Sequence, residues 1–172
     1  MTISTQVEQT KKLHEKEGKY LTFSLGSEQY GLEILKVREI IEYMEITVVP
    51  QTPPYVKGVI NPRGQVIPVV DLRTKFQMPC TEISDETCII VVETHQNGHK
   101  YNTGIIVDHV QEVLYITGNN IEEPPQFDNS SNTDYILAMA KTGDSLKILL
   151  DIDKVLCGCD ISQITKTQDS GE

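Results

Sequence analysis

The dominant spacing of apolar residues along this chain is two. Leu21, Phe23 and Leu25 alternate with Tyr20, Thr22 and Ser24, and Tyr30, Leu32 and Ile34 alternate with Gly31 and Glu33. Side chains of a strand point to opposite faces in turn, so this alternation predicts half-buried strands, and Gly26-Ser27 between the two runs supplies a hairpin turn. The same pattern places strands at 38–43, 58–61, 66–70, 87–94, 100–107, 110–116, 135–141 and 145–150. The 66–70 segment is apolar throughout, which predicts a strand covered on both faces. Asn97-Gly98 favours the positive φ of a tight hairpin, and Thr142-Gly143-Asp144 can do the same. Helical signals are brief: one turn at 35–39, a segment at 71–77 behind a capping Asp71, and another at 151–156 behind Asp151. About ten short strands and three brief helices describe a mainly β protein, and two packed five-stranded β-barrels hold that many strands better than one small barrel.

Prolines sharpen the boundaries. Pro50, Pro53 and Pro54, and later Pro124 and Pro125, impose extended backbone and cannot sit inside central strands, so they belong on long surface connections. The run from Asp128 to Asp134, DNSSNTD, is the most loop-like in the chain. Residues 1–18 and the Ser-, Thr- and Gln-rich C-terminus lack sustained periodicity and are expected to be mobile tails.

Composition narrows the partners. The chain has 172 residues, long enough to bury a core without disulfides or metal. Its 25 Asp and Glu against 15 Lys and Arg leave a net charge of −10, which disfavours nucleic acid and anionic membrane surfaces. No stretch approaches the 18 or so apolar residues of a membrane span, and the lysine- and glutamate-bearing N-terminus has no secretory hydrophobic run, so a cytoplasmic location without direct membrane insertion is expected. Cysteines 80, 88, 157 and 159 lack the spacing of a disulfide scaffold and read as reduced thiols, with Cys88 in the core.

Tests for chemistry come back empty. Gly26 and Gly31 have the spacing of a phosphate loop, but Leu32 and Glu33 stand where Lys and a hydroxyl residue are needed. Gly-x-Ser-x-Gly, His-Glu-x-x-His and Cys-x-x-Cys do not occur. Cys157-x-Cys159 has no second pair, and His95 and His99, flanking a predicted turn, have only the distant His14 and His109 to complete a metal set. Glu122-Glu123, Asp85-Glu86 and Glu42 with Glu45 have no apolar pocket to split their pKa values, and Asp151-x-Asp153 lacks the glycine and final glutamate of a calcium loop. No catalytic residue, metal or cofactor is expected, and no enzyme activity.

One stretch stands out, Tyr55 to Leu72. It holds Arg63 between Pro62 and Gly64 at the tip of two apolar strands. A guanidinium on so constrained a turn suits a carboxylate on a partner protein, although taken in isolation the residue reads first as an ordinary exposed turn arginine.

These residues also form a familiar order. Phe23-Ser-Leu25, Tyr30-Gly31, Ile34-Leu35-Lys36-Val37-x-Glu39-Ile40, Pro53-x-Tyr55-x-x-Gly58-Val59-x-Asn61-x-Arg63-Gly64 and Ile67-Pro68-Val69-Val70-Asp71-Leu72 resemble the CheW family of bacterial chemotaxis adaptors. Gly104-Ile105-Ile106-Val107-Asp108-x-Val110 and the run from Ile148 to Leu156 continue the resemblance, which covers about 19–157. Pro62 departs from the family, which usually has Leu there, and removes a backbone donor beside the arginine.

The resemblance implies two SH3-like β-barrel lobes packed together, lobe 1 at about 25–85 and lobe 2 at about 19–24 plus 86–157, with a C-terminal tail at 158–172. It implies a non-enzymatic scaffold linking the cytoplasmic tip of methyl-accepting chemotaxis receptors to the regulatory domain of the histidine kinase CheA, recruited to receptor arrays at the inner face of the membrane. Matching positions point to Val37, Glu39, Gly58, Asn61, Arg63 and Gly64 for receptor contact. Val37 also reads as core and Gly58 and Gly64 as backbone requirements. Kinase contacts are expected on apolar barrel edges. Two alternatives stand beside this: a CheW-like adaptor of a non-motility chemosensory pathway, and a small-ligand-binding β-barrel, which needs a pocket with convergent polar groups.

Overall fold

The computed structural model describes residues 15–79, 82–96, 98–124 and 135–156. The predicted tails, the 128–134 loop, Asn97, Pro125, and Cys80, Cys157 and Cys159 lie wholly or mainly outside these residues. All ten predicted strands are present: β1 (Gly18–Leu25), β2 (Glu28–Glu33), β3 (Val37–Glu42), β4 (Val56–Ile60), β5 (Ile67–Asp71), β6 (Cys88–Gln96), β7 (His99–Val107), β8 (His109–Ile116), β10 (Ile136–Thr142) and β11 (Ser145–Leu150). The added strand, β9 (Ile121–Glu122), is too short to show a period.

Two of the helical segments form as four-residue helices, α1 (Leu72–Lys75) and α2 (Ile152–Val155). Asp71 and Asp151 cap them, accepting from the backbone N–H of Arg73 and Lys154. The third is shorter than its pattern implied. A 3₁₀ turn takes only Ile34–Lys36, and Val37 already begins β3, whose cross-strand bonds to β6 displace further helix.

The strands form two sheets, ordered β3-β6-β7-β5-β4 and β8-β1-β2-β11-β10-β9. Each closes through its own chain. After β3 the chain turns back so that Thr47 and Val59 exchange backbone hydrogen bonds of 2.9 Å, placing the continuation of one end strand against the other. After β8 a 3₁₀ turn leads into β9, which pairs with β10. Counting β8 and β9 as one bent strand, each lobe is a five-stranded barrel.

The lobe boundaries differ from those expected near residues 25 and 85. β2 stays with β1 in the six-stranded sheet, and β6 and β7 join β3, β4 and β5, so the chain leaves the first lobe only after Val107. Parallel pairings decide this: β2 runs beside β11 and β7 beside β5. Each half of the chain thus donates its leading hairpin to the barrel completed by the other half.

Three apolar clusters follow from this exchange. Ile60, Ile67, Val69, Ile89, Val91 and Ile106 fill the first barrel. Tyr20, Ile116, Ile121, Ala138, Ala140 and Leu149 fill the second. Between the lobes, Leu21, Phe23, Leu32 and Leu150 pack against Val70, Ile90, Val92 and Ile105. In β6 the residues Ile89, Ile90, Val91 and Val92 therefore alternate between a barrel interior and the joint core, which is why the run is apolar without interruption. The 66–70 reading holds from Ile67 onward for the same reason, since all of β5 is buried, whereas Val66 lies before the strand and is exposed.

Candidate functional site

The residues singled out in lobe 1 collect around one cleft. It is about 320 Å³ and is lined by Arg38, Glu39, Pro62, Arg63, Gln65, Ile67, Val91 and Asn102. In the flat order of the sheet β3 lies three strands from β5, a separation of roughly 14 Å. Barrel closure removes that distance, and Arg63 Nη2 stands 2.8 Å from Glu39 Oε2.

Local irregularity supplies the second element. The β3–β6 register slips between Val37 and Glu39, so Arg38 is an extra residue opposite β6. A bulge re-aims side chains that strict alternation would send to opposite faces, and it lets both Arg38 and Glu39 line the cleft. Arg38 pairs with Glu93 of β6, and its guanidinium holds that carboxyl below the ordinary carboxylate range. The cleft thus holds the Arg63–Glu39 ion pair and the arginine of a second, Arg38–Glu93, with the buried Ile67 and Val91 also in its lining.

Arg63 remains 77% exposed while Glu39 is 24% exposed, so the guanidinium can turn to a partner without leaving the cleft rim. This corrects the picture of an unengaged arginine fork: any partner carboxylate competes with Glu39. Asn61 and Gly64 are exposed on the same turn, and Gly64 adopts φ 82°, with space around it for a Cβ. Val37 is half-buried and packs on the joint core, leaving part of its side chain exposed. Gly58 does not belong on a contact surface. It is buried, at φ 142°, and a Cβ there would lie 2.0 Å from the Thr47 carbonyl oxygen.

Arg38, Gln65 and Asn102 are cleft residues that sequence reasoning missed. Arg38 was visible only as a charge next to Glu39; the bulge that aims it depends on a partner strand far along the chain. Other chemistry stays sparse. Cys88 packs against the joint core as expected, and burial pushes its thiol pKa up, away from nucleophilic use. No group of three or more potential metal ligands occurs among the described residues. No helix among them is long and apolar enough to cross a membrane. Both barrel interiors are filled by side chains, unlike the hollow interior of a small-ligand barrel.

Comparison with known proteins gives the same direction from every side. Residues 19–158 match the family described as CheW-like domain. The chain is 39% identical over 137 residues to the chemotaxis protein CheW of Klebsiella aerogenes, covering 80% of each protein. It is 33% identical over 141 residues to the chemotaxis protein CheW of Thermotoga maritima, covering 82% of this chain and 89% of that one. The crystal structure of the scaffolding protein TtCheW from Thermoanaerobacter tengcongensis superposes with a TM-score of 0.73 at 37% identity, covering 82% of this chain and 93% of that one.

Proposed function

This chain belongs to the CheW family of chemotaxis scaffolds, and from that premise we propose that it couples methyl-accepting chemoreceptors to the histidine kinase CheA without catalysing a reaction. It works in the cytoplasm, recruited to receptor arrays at the inner face of the membrane. The observation that carries this reading is the bulged β3 facing the Arg63 turn. An exposed guanidinium at the rim of a mainly polar cleft, with the half-buried Val37 next to Arg38 in the chain, fits a helix that brings a carboxylate and an apolar side chain. Val37, Glu39, Asn61, Arg63 and Gly64 form the receptor face, and Gly58 shapes it from behind. The kinase regulatory domain docks on apolar barrel edges. β8, an end strand of its sheet, exposes Val113 and Tyr115 for such a contact.

Titration calorimetry tests both arms, using a receptor-tip fragment and a CheA regulatory domain. Saturable binding to each is expected, and binding to neither by folded protein rejects the adaptor reading. Arg63→Glu is expected to weaken receptor binding about tenfold or more, because it reverses the charge offered to the partner and sets a second carboxylate beside Glu39. Kinase binding and the circular dichroism spectrum should be unchanged. Undiminished receptor affinity would remove Arg63 from the face.

A further inference from the structure

The exchange of hairpins creates two junctions built to one plan. At each, the capping aspartate donates its backbone N–H to a tyrosine carbonyl: Asp71 to Tyr55 and Asp151 to Tyr135, both at 2.8 Å. Two residues on, each short helix sends a charge to the segment where the chain crosses between lobes. Arg73 Nη1 reaches Asp108 Oδ1 at 3.0 Å, and Asp153 Oδ2 meets Lys36 Nζ at 2.8 Å. At both junctions the carboxylate also accepts a backbone N–H from a hairpin, from Gly26 at 2.6 Å for Asp108 and from His95 at 3.0 Å for Asp153. The polarity is reversed: the helix contributes the cation at one junction and the anion at the other.

The second junction leads into the cleft along the chain. Lys36 ends the 3₁₀ turn and directly precedes Val37, and the bulged Arg38 follows. Asp153 therefore ties three elements together, α2, β6 and the entry to β3. We infer that Asp153, acting through Lys36, is a positioning residue that fixes the start of β3 so that Val37, Arg38 and Glu39 present the receptor face. This rests on the receptor reading given above. The Asp153 hydrogen bond is also the largest of the effects raising the Lys36 pKa, ahead of the opposing effect of burial.

The decisive pair of variants is Asp153→Asn, which keeps an acceptor for the His95 N–H but removes the charge, and Lys36→Met, which keeps the stem without the ammonium. Each is expected to weaken receptor-tip binding about threefold to tenfold. Affinity for the kinase regulatory domain should stay unchanged, and the double variant should be no worse than either single one. Hydrogen exchange should quicken at the 37–40 amides while the 56–60 amides keep their protection. Equal losses for both partners would mean general destabilisation and overturn the positioning role, as would unchanged receptor affinity. If the wild-type chain binds the kinase domain but no receptor tip, the receptor reading fails, and the exchange rates still decide whether Asp153 fixes the start of β3: unaltered exchange at 37–40 overturns it.

Discussion

Arg73→Met is expected to lower the unfolding free energy by about 3–5 kcal/mol, the range for removing one partner of a buried ion pair. The Arg73 side chain is 4% exposed and lies between Asp71 Oδ1, at 3.5 Å, and Asp108 Oδ1, at 3.0 Å. Methionine fills much of the same volume, so the effect reports loss of the guanidinium, its charge and its N–H donors, rather than of packing. What remains is a buried Asp71 and a partly exposed Asp108 without their shared cation. Asp71 still accepts the Arg73 backbone N–H, and water can reach part of Asp108, which places the loss toward the lower end. Because Asp108 also receives the Gly26 N–H, the β1–β2 turn should loosen with it. Urea unfolding of the two proteins side by side gives the difference. A loss under about 1 kcal/mol would mean that the network contributes little beyond a surface pair.

Gly58→Ala is expected to cost about 3 kcal/mol or more, and to open lobe 1 rather than merely strain it. At φ 142° the residue occupies backbone space that L side chains rarely adopt. The added carbon would also sit 2.0 Å from the Thr47 carbonyl oxygen and 2.7 Å from its carbon. Those are backbone atoms, so no rotamer change relieves the clash. Thr47 must retreat, and it carries the bridge to Val59 that closes the first barrel. Gly64→Ala supplies the contrast. Its φ of 82° is also left-handed, yet no atom lies within 4 Å of the new Cβ, so a cost near 1–2 kcal/mol is expected. Thermal unfolding of the two variants should differ by several degrees, and equal midpoints would contradict barrel closure as the reason for Gly58.

The site was legible in part for reasons that can be named. Arg63 could be found because a proline and a glycine flank it within a single turn, and all three lie in one short window. That Glu39 would be its partner was not legible. The two residues meet only after β3, β6, β7, β5 and β4 have paired and the Thr47 segment has closed the ring. Gly58 matched a motif without revealing why, since its role depends on the approach of Thr47 from a separate segment. Val37 supported two readings, and the fold bears on one of them by packing it half-buried against the joint core.

The sequence by itself determined the mainly β composition, the ten longer strands, the hairpin turn at Gly26-Ser27 and the capped starts of both short helices. Each is a local property: alternation sets a strand, a glycine permits a turn, and an aspartate oxygen satisfies free N–H groups at a helix start. Only the tertiary structure decided which strands share a barrel. Strand edges offer the same backbone donors and acceptors to any partner, so the alternation along β2 or β7 carries no label for β11 or β5. Burial on both faces and helix-to-crossover ion pairs at the two junctions select the exchanged arrangement, and both exist only between residues distant in the chain.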